Sequence, residues 1–294
     1  MQAGNEQRGR EMCAIVEADR GSAGGGAGAH PMIPLSVVII AFNEESNIER
    51  CLQSVRDIAD EIVVLDSFST DRTRAVCERY GVRFFQHAFD GYIQQKNRAL
   101  TFASHPHVLS LDADEALDER LRESIREVKH DFRKDGYYLN RLTNYCGRWV
   151  KHCGWYPDRK LRLWDSRKGE WRGTNPHDKY EMFAGDGNTG RLKGNILHYS
   201  YHSVEDHYER VERFSDIAAR AYFEKGRKAH AWQVLLHPTA KFLDHYIVKL
   251  GVLDGRTGYR ISRAAAYGTY LKYKKLRMLH EEASPGARRR RRAR

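Results

Sequence analysis

The chain has 294 residues, of which 41% are hydrophobic and 30% charged, enough for one large domain or two modest ones with a sizeable core. No apolar run reaches the ~18–20 residues that span a bilayer, and no charged-then-apolar start marks a secretory signal. Five cysteines (Cys13, Cys51, Cys77, Cys146 and Cys153) form an odd set without framework spacing, which argues against a disulfide scaffold and for a reducing cytoplasm.

Residues 1–33 read as a disordered leader, because "RGSAGGGAGAH" has no face to bury. Met32, just before "IPLSVVIIAF", is the expected natural start. "LSVVIIA" (35–41) is a continuous β-branched run of the kind found in strands buried on both faces. Ile48, Cys51, Leu52, Val55 and Ile58 then recur at helical spacing, with Ser46 as the expected cap. "EIVVLD" (61–66) is a second strand, Thr70 or Asp71 caps a short helix ending near Gly81, and "VRFFQ" (82–86) is a third strand. A helix over 92–103 leads to "HVLSL" (107–111). This alternation implies right-handed βαβ crossovers and a mostly parallel sheet flanked by helices. A polar helix (118–130) follows, then a strand at 136–145 in a less regular, tryptophan-rich region reaching about residue 200.

Residues 203–250 read as amphipathic helices, and 264–279 as a further helix of mixed aromatic and basic character. That helix allows two readings, core packing with Tyr and Lys at its edge or an interfacial helix lying on a membrane. Six of the net eleven positive charges come from the arginines at 288–292 and 294. A solvated run of this kind attracts anionic lipid, and no nucleic-acid-binding module accompanies it. The expected organisation is a leader (1–33), an α/β domain (34–202) divided near residue 118, a helical extension (203–283) and an arginine-rich tail (284–294). Cys146, His152 and Cys153 lack the second ligand pair that zinc spacing requires.

Polar residues gather at three strand ends: "AFNEE" (Asn43, Glu44, Glu45), "LDSFSTD" (Asp66, Ser67, Ser69, Asp71) and "LDADE" (Asp112, Asp114, Glu115). Asn, Asp and Ser after a strand are ordinary turn and cap residues. In an open parallel sheet, however, ligands bind at the carboxyl ends of the strands, and the three clusters share that rim. Asp112 and Asp114, two apart, project the same way from an extended segment. Their mutual repulsion asks for a positive mediator, and Mg²⁺ or Mn²⁺, which bridge carboxylates to phosphates, are the expected ones.

"SVVIIAFNEESNIERCLQSV", "EIVVLDSFSTDRT", "QKNRAL" and "LSLDADE" together resemble the nucleotide-sugar half of family 2 glycosyltransferases with the GT-A fold. "KLRLW", "NPHDKYE", "LHYSY" and "GVLDGRTGYRISRAAAYGTYLKYKKL" resemble a narrower branch, the lipopolysaccharide-core β-glucosyltransferases, so the resemblance covers about residues 34–280. It implies a nucleotide-sugar half (34–118) and an acceptor half (119–202). It implies that Phe42, Asn43 and Glu44 hold the donor's base and ribose, with Asp66 on the base and Lys96 near the donor. Asp112 would face the nucleotide, and Asp114 would reach the metal on the diphosphate, with His198 completing that site. Asp178 is the implied catalytic base and Glu181 the runner-up; many members carry Glu at the position of Asp178. Trp155 and Trp171 are read as packing residues before sugar-stacking ones.

The expected activity is inverting transfer of a hexose, glucose from UDP-glucose, to a membrane-associated saccharide such as the lipopolysaccharide inner core. The place would be the cytoplasm or the inner face of its membrane. The alternatives are a nucleotidyltransferase or phosphatase on a similar sheet, and a non-catalytic protein binding through its basic tail. Phosphatases with an Asp-X-Asp nucleophile carry it after the first strand, which here ends in "AFNEE".

Overall fold

Three short apolar runs, buried along most of their length, make β1 (Leu35–Ala41), β2 (Glu61–Asp66) and β4 (His107–Asp112), with the half-exposed β3 (Arg83–Gln86) at the edge. They are parallel and ordered β3–β2–β1–β4. The computed structural model describes residues 32–283 apart from 175 and 176. The expected leader up to residue 31 and the arginine-rich tail lie outside the described residues. In register, Ala41 faces Asp66 and Ile40 faces Asp112, so the polar clusters after β1, β2 and β4 begin at one level.

The crossover helices are α1 (Ile48–Val55), α2 (Thr73–Arg79) and α3 (Tyr92–Leu100). Helix α1 buries Ile48, Cys51, Leu52 and Val55, the i, i+3, i+4, i+7 stripe of a helix lying on a sheet. Its cap position is Asn47, not the expected Ser46; the Asn47 and Ile48 N–H groups both donate to the Glu44 carbonyl, which starts the helix one residue later. For α2 the cap position is Arg72, not the expected Thr70 or Asp71; Asp71, one residue earlier, accepts from the Thr73 N–H (2.9 Å) and hydroxyl (2.6 Å). Helix α4 (Glu119–His130) is capped by Asp118, which accepts from the Leu121 N–H at 2.8 Å.

A short β5 (Glu115–Leu117) follows β4, and the expected strand at 136–145 is β6 (Gly136–Tyr145). The region after it, expected to be less regular, is built of further strands, β7 (Arg148–Trp149), β8 (Asp158–Asp165), β9 (Gly169–Thr174), β10 (His177–Met182) and β11 (Thr189–Tyr201). The sheet continues β4–β8–β6–β11–β5, with β7 paired to β6. Only β6–β11 is parallel in this half, so a parallel half joins a mixed one. Strands β9 and β10 form a separate antiparallel ribbon, held against β8 where Trp164 stacks on Tyr180 at 3.8 Å. Gly194 lets β11 dock on α4. It sits at φ +94°, and a Cβ there would lie 2.2 Å from the Leu121 nitrogen, a place no other residue can occupy without moving the helix.

The C-terminal extension consists of α5 (Val204–Glu224), α6 (Ala231–Leu243), a π-helical turn (Asp244–Val248), a 3₁₀ turn (Gly251–Asp254) and α7 (Gly255–Ala283). Helix α7 begins well before the expected residue 264. It packs against both α5 and α6 and buries Leu271 and Leu276, the arrangement expected of the core-packing reading of 264–279. Gly258 on α7 sits against the Gly251 carbonyl, which a Cβ would approach to 1.8 Å. The turns are tied to the sheet domain by His152, whose N–H and Nδ1 lie 2.9 and 2.8 Å from the Asp254 carboxylate, and by Cys153 N–H on the Lys249 carbonyl.

Candidate functional site

Two of the rim loops are laced together. Asn43, in a left-handed conformation (φ +53°), donates its N–H to Ser69 Oγ (2.8 Å) and accepts from the Thr70 N–H (2.8 Å). Glu44 N–H donates to Thr73 Oγ1 and Glu45 N–H to Asp71. Asp66 is fully buried, accepting from the Ser69 N–H and hydroxyl and from Gln86 Nε2. Its carboxylate therefore shapes the loop from within, while Phe42 stands exposed beside it at the cavity wall.

The carboxylates after β4 meet protein cations. Asp112 pairs with Lys96 (3.1 Å) and Arg162 (3.0 Å), and Lys96 also bonds Asp178 Oδ2 at 2.8 Å. Arg162 continues to Glu115 (3.1 Å), Glu115 neighbours Arg141 (3.6 Å), and Arg141 pairs with Asp158 (2.7 Å). Charges thus alternate along one chain of contacts from Asp178 to Asp158. Burial alone would push the Asp112 carboxyl up, but Lys96 and Arg162 outweigh it and hold it well below the usual carboxylate range. Burial opposes the charge on Arg162 too, yet Glu115 and Asp112 keep it more firmly protonated than a free guanidinium. Glu115 is more than a turn cap: Oε2 accepts the Asp112 N–H (2.9 Å), fixing the strand end. The positive mediator expected between Asp112 and Asp114 is, for Asp112, supplied by Lys96 and Arg162.

Asp114 is different. Its ion-pair partner among the described residues is His198, with Nε2 3.2 Å from Oδ2, while His198 Nδ1 is buried without a hydrogen-bond partner among them. Both line one cavity with Glu44. Burial raises the Glu44 carboxyl, the Asn47 hydrogen bond opposes, and Asp114, Asp71 and Asp112 add to the rise. No cluster of three or more His, Cys, Asp or Glu forms a complete metal cage among the described residues. One carboxylate and one imidazole fit a divalent cation whose remaining positions are filled by substrate phosphates. The donor set suits Mg²⁺ or Mn²⁺ bound together with a diphosphate.

Two large cavities, about 890 and 840 Å³, share Lys96, Asp112, Arg141 and Asp178. The first holds Phe42, Glu44, Asp114 and His198; the second holds Arg159, Lys160, Arg162 and Trp171. Asp178 stands where they meet. On β10 it shares a face with the buried Tyr180 and Met182, whereas Glu181 alternates to the other face and pairs with Lys179 at 2.8 Å. Trp171 is buried against Trp164 and Tyr180 with the Lys96 ammonium 4.5 Å from its ring centroid; Trp155 stacks on Tyr201. Arg141 and Arg162 escape a reading of the sequence because their partners lie tens of residues away.

Residues 36–185 match the model of the family "Glycosyl transferase family 2". The chain is 31% identical over 228 residues to the lipopolysaccharide core biosynthesis glycosyltransferase LpsC of Rhizobium meliloti, covering 74% of this chain and 82% of that one. It is 27% identical to the uncharacterized glycosyltransferase RT0209 of Rickettsia typhi, covering 84% and 88%. Among solved structures, S. aureus TarS residues 1–349 in complex with UDP aligns with a TM-score of 0.42 at 15% identity, over 86% of this chain and 92% of that one. The chain belongs to glycosyl transferase family 2 and is a glycosyltransferase.

Proposed function

We propose that the protein is an inverting hexosyltransferase that moves glucose from UDP-glucose to a membrane-associated saccharide such as the lipopolysaccharide inner core, at the cytoplasmic face of the membrane. The observation that carries this reading is the position of Asp178 at the junction of two cavities, one acidic with the Asp114–His198 pair, the other rich in arginine and lysine. The acceptor class is supported by the similarity to LpsC. In this reading Phe42, Asn43 and Glu44 form the wall for base and ribose, and Asp66 holds that loop in shape. Asp112 faces the nucleotide, and Asp114 and His198 hold Mg²⁺ or Mn²⁺. When bound, the cation neutralises charge growing on the departing diphosphate.

The acceptor oxygen forms its bond to the anomeric carbon as the bond from that carbon to the diphosphate oxygen breaks. The electron pair leaves with the nucleoside diphosphate and the acceptor's proton passes to Asp178. In this reading Lys96, 2.8 Å from Asp178 Oδ2, orients that carboxylate before the acceptor arrives. A thermal-shift screen of UDP-, GDP- and dTDP-sugars with and without Mn²⁺, followed by product assay, tests this. UDP-glucose with metal should give the largest stabilisation and UDP the product. Release of pyrophosphate would favour a nucleotidyltransferase, and indifference to every nucleotide sugar would sink the donor assignment.

A further inference from the structure

The outward face of α6 is apolar. A surface helix normally turns its apolar stripe to the core and its polar side to water. Here Trp232, Leu235, Leu236 and Leu243 recur at helical spacing and Ile247 and Val248 continue the row, all exposed, Leu235 at 71% and Val248 at 74%. His237, in ring contact with Trp232 (5.4 Å), packs on Tyr273 of α7 at 4.8 Å. Leu250, Val252 and Leu253 carry the exposed apolar surface onto the 3₁₀ turn. Soluble monomers seldom show so much contiguous apolar surface unless something covers it.

The charges around the patch identify what does. Arg256, Arg260 and Arg263, on the first turns of α7, line a cavity of about 430 Å³ with Tyr246 and Tyr259. Phe242, Tyr246 and Tyr259 are in mutual ring contact and join this cavity to the end of α6. None of the three arginines has an ion-pair partner among the described residues. The only carboxylates between 231 and 263 are already engaged, Asp244 by Lys249 (2.8 Å) and Asp254 by His152 (2.8 Å). Apolar side chains ringed by uncompensated cations match the acyl boundary and phosphate layer of an anionic bilayer. A second copy related by a two-fold axis would set arginine against arginine with no carboxylate to pair. No described helix is long and apolar enough to cross a membrane, so the fit is to a surface. The Gly258–Gly251 contact and the His152–Asp254 tie hold the turns in place without a lipid present.

We propose that the outer face of α6 and the turns after it form a membrane-docking surface, which sinks Leu235, Leu236, Ile247 and Val248 into an anionic bilayer and holds lipid phosphates with Arg256, Arg260 and Arg263. Flotation of the full chain tests it, with phosphatidylcholine vesicles and with vesicles also containing phosphatidylglycerol. Two full-length variants accompany the wild type: Leu235→Ser/Leu236→Ser/Val248→Ser and Arg256→Gln/Arg260→Gln/Arg263→Gln. Circular dichroism and melting temperature should be unchanged, since every substituted side chain is exposed. The wild type should float with the anionic vesicles only, and each triple variant should lose about tenfold or more in vesicle affinity. Three results would overturn the proposal. Triple variants that float like the wild type would move the attraction elsewhere, the arginine tail included. Release of the wild type by inorganic phosphate alone would reduce the arginine cavity to a free-phosphate site. A wild-type dimer that binds no vesicle and becomes monomeric in the serine variant would make the patch a self-association surface.

Discussion

Asp178 and Lys96 illustrate how a residue's task depends on a partner far along the chain. The Asp178→Asn variant keeps size and shape but removes the proposed proton acceptor, so kcat should fall by about 10²–10⁴ while donor binding, read by calorimetry, stays within twofold or so. The Lys96→Met variant leaves Asp112 and Asp178 without their shared cation. A fall in stability of roughly 2–4 kcal/mol should follow, discounted for the partial exposure of the two carboxylates, measurable by denaturant unfolding. The carboxylates of "LDADE" and the strand-end position of Asp114 were legible in the sequence. The cations that neutralise Asp112 were not: Lys96 and Arg162 lie 16 and 50 residues away, and no local spacing marks a pairing made by the sheet.

At the scale of elements, β1, β2 and β4 could be read directly because their apolar runs are continuous and buried. Strand β8 could not, since Arg162 occupies an inward position, 3% exposed, and makes "DRKLRLW" look polar. Buried charge disguises a strand as surface. Helix α6 misleads the other way, since its apolar row suggests a core face that the structure turns outward. The docking of β11 on α4 can be checked by a pair of substitutions. Gly81 and Gly194 both have positive φ, but a Cβ at Gly81 meets nothing within 4 Å. Gly81→Ala should therefore cost about 1 kcal/mol from the left-handed backbone alone. Gly194→Ala should cost roughly 2–4 kcal/mol because it also displaces the first turn of α4. Equal melting temperatures for the two variants would contradict the close approach.

For the molecule as a whole, acid should be the weak side. Burial lowers His207, which lies 3.1 Å from the Tyr145 hydroxyl, to about 4, and lowers His245 to about 4 as well. Between pH 6.5 and 4 the unfolded chain takes up protons at these imidazoles that the folded one refuses, so stability falls as pH drops through that window. Asp112, held low in the folded state, adds its own loss below the ordinary aspartate range, near pH 4. The melting temperature should decline from pH 6.5 to 4, and His207→Gln should flatten that slope; an unchanged slope would place the proton uptake elsewhere. One lysine links the two halves of the proposed site. Lys96 divides a single ammonium between Asp112, on the proposed donor side, and Asp178, on the proposed acceptor side. In the proposed reaction a diphosphate entering the donor cavity competes with both carboxylates for that ammonium and frees Asp178 to meet the acceptor. The proposed reaction should then be ordered, nucleotide first and saccharide second, with the spent nucleoside diphosphate inhibiting competitively against the donor and non-competitively against the acceptor in product-inhibition kinetics.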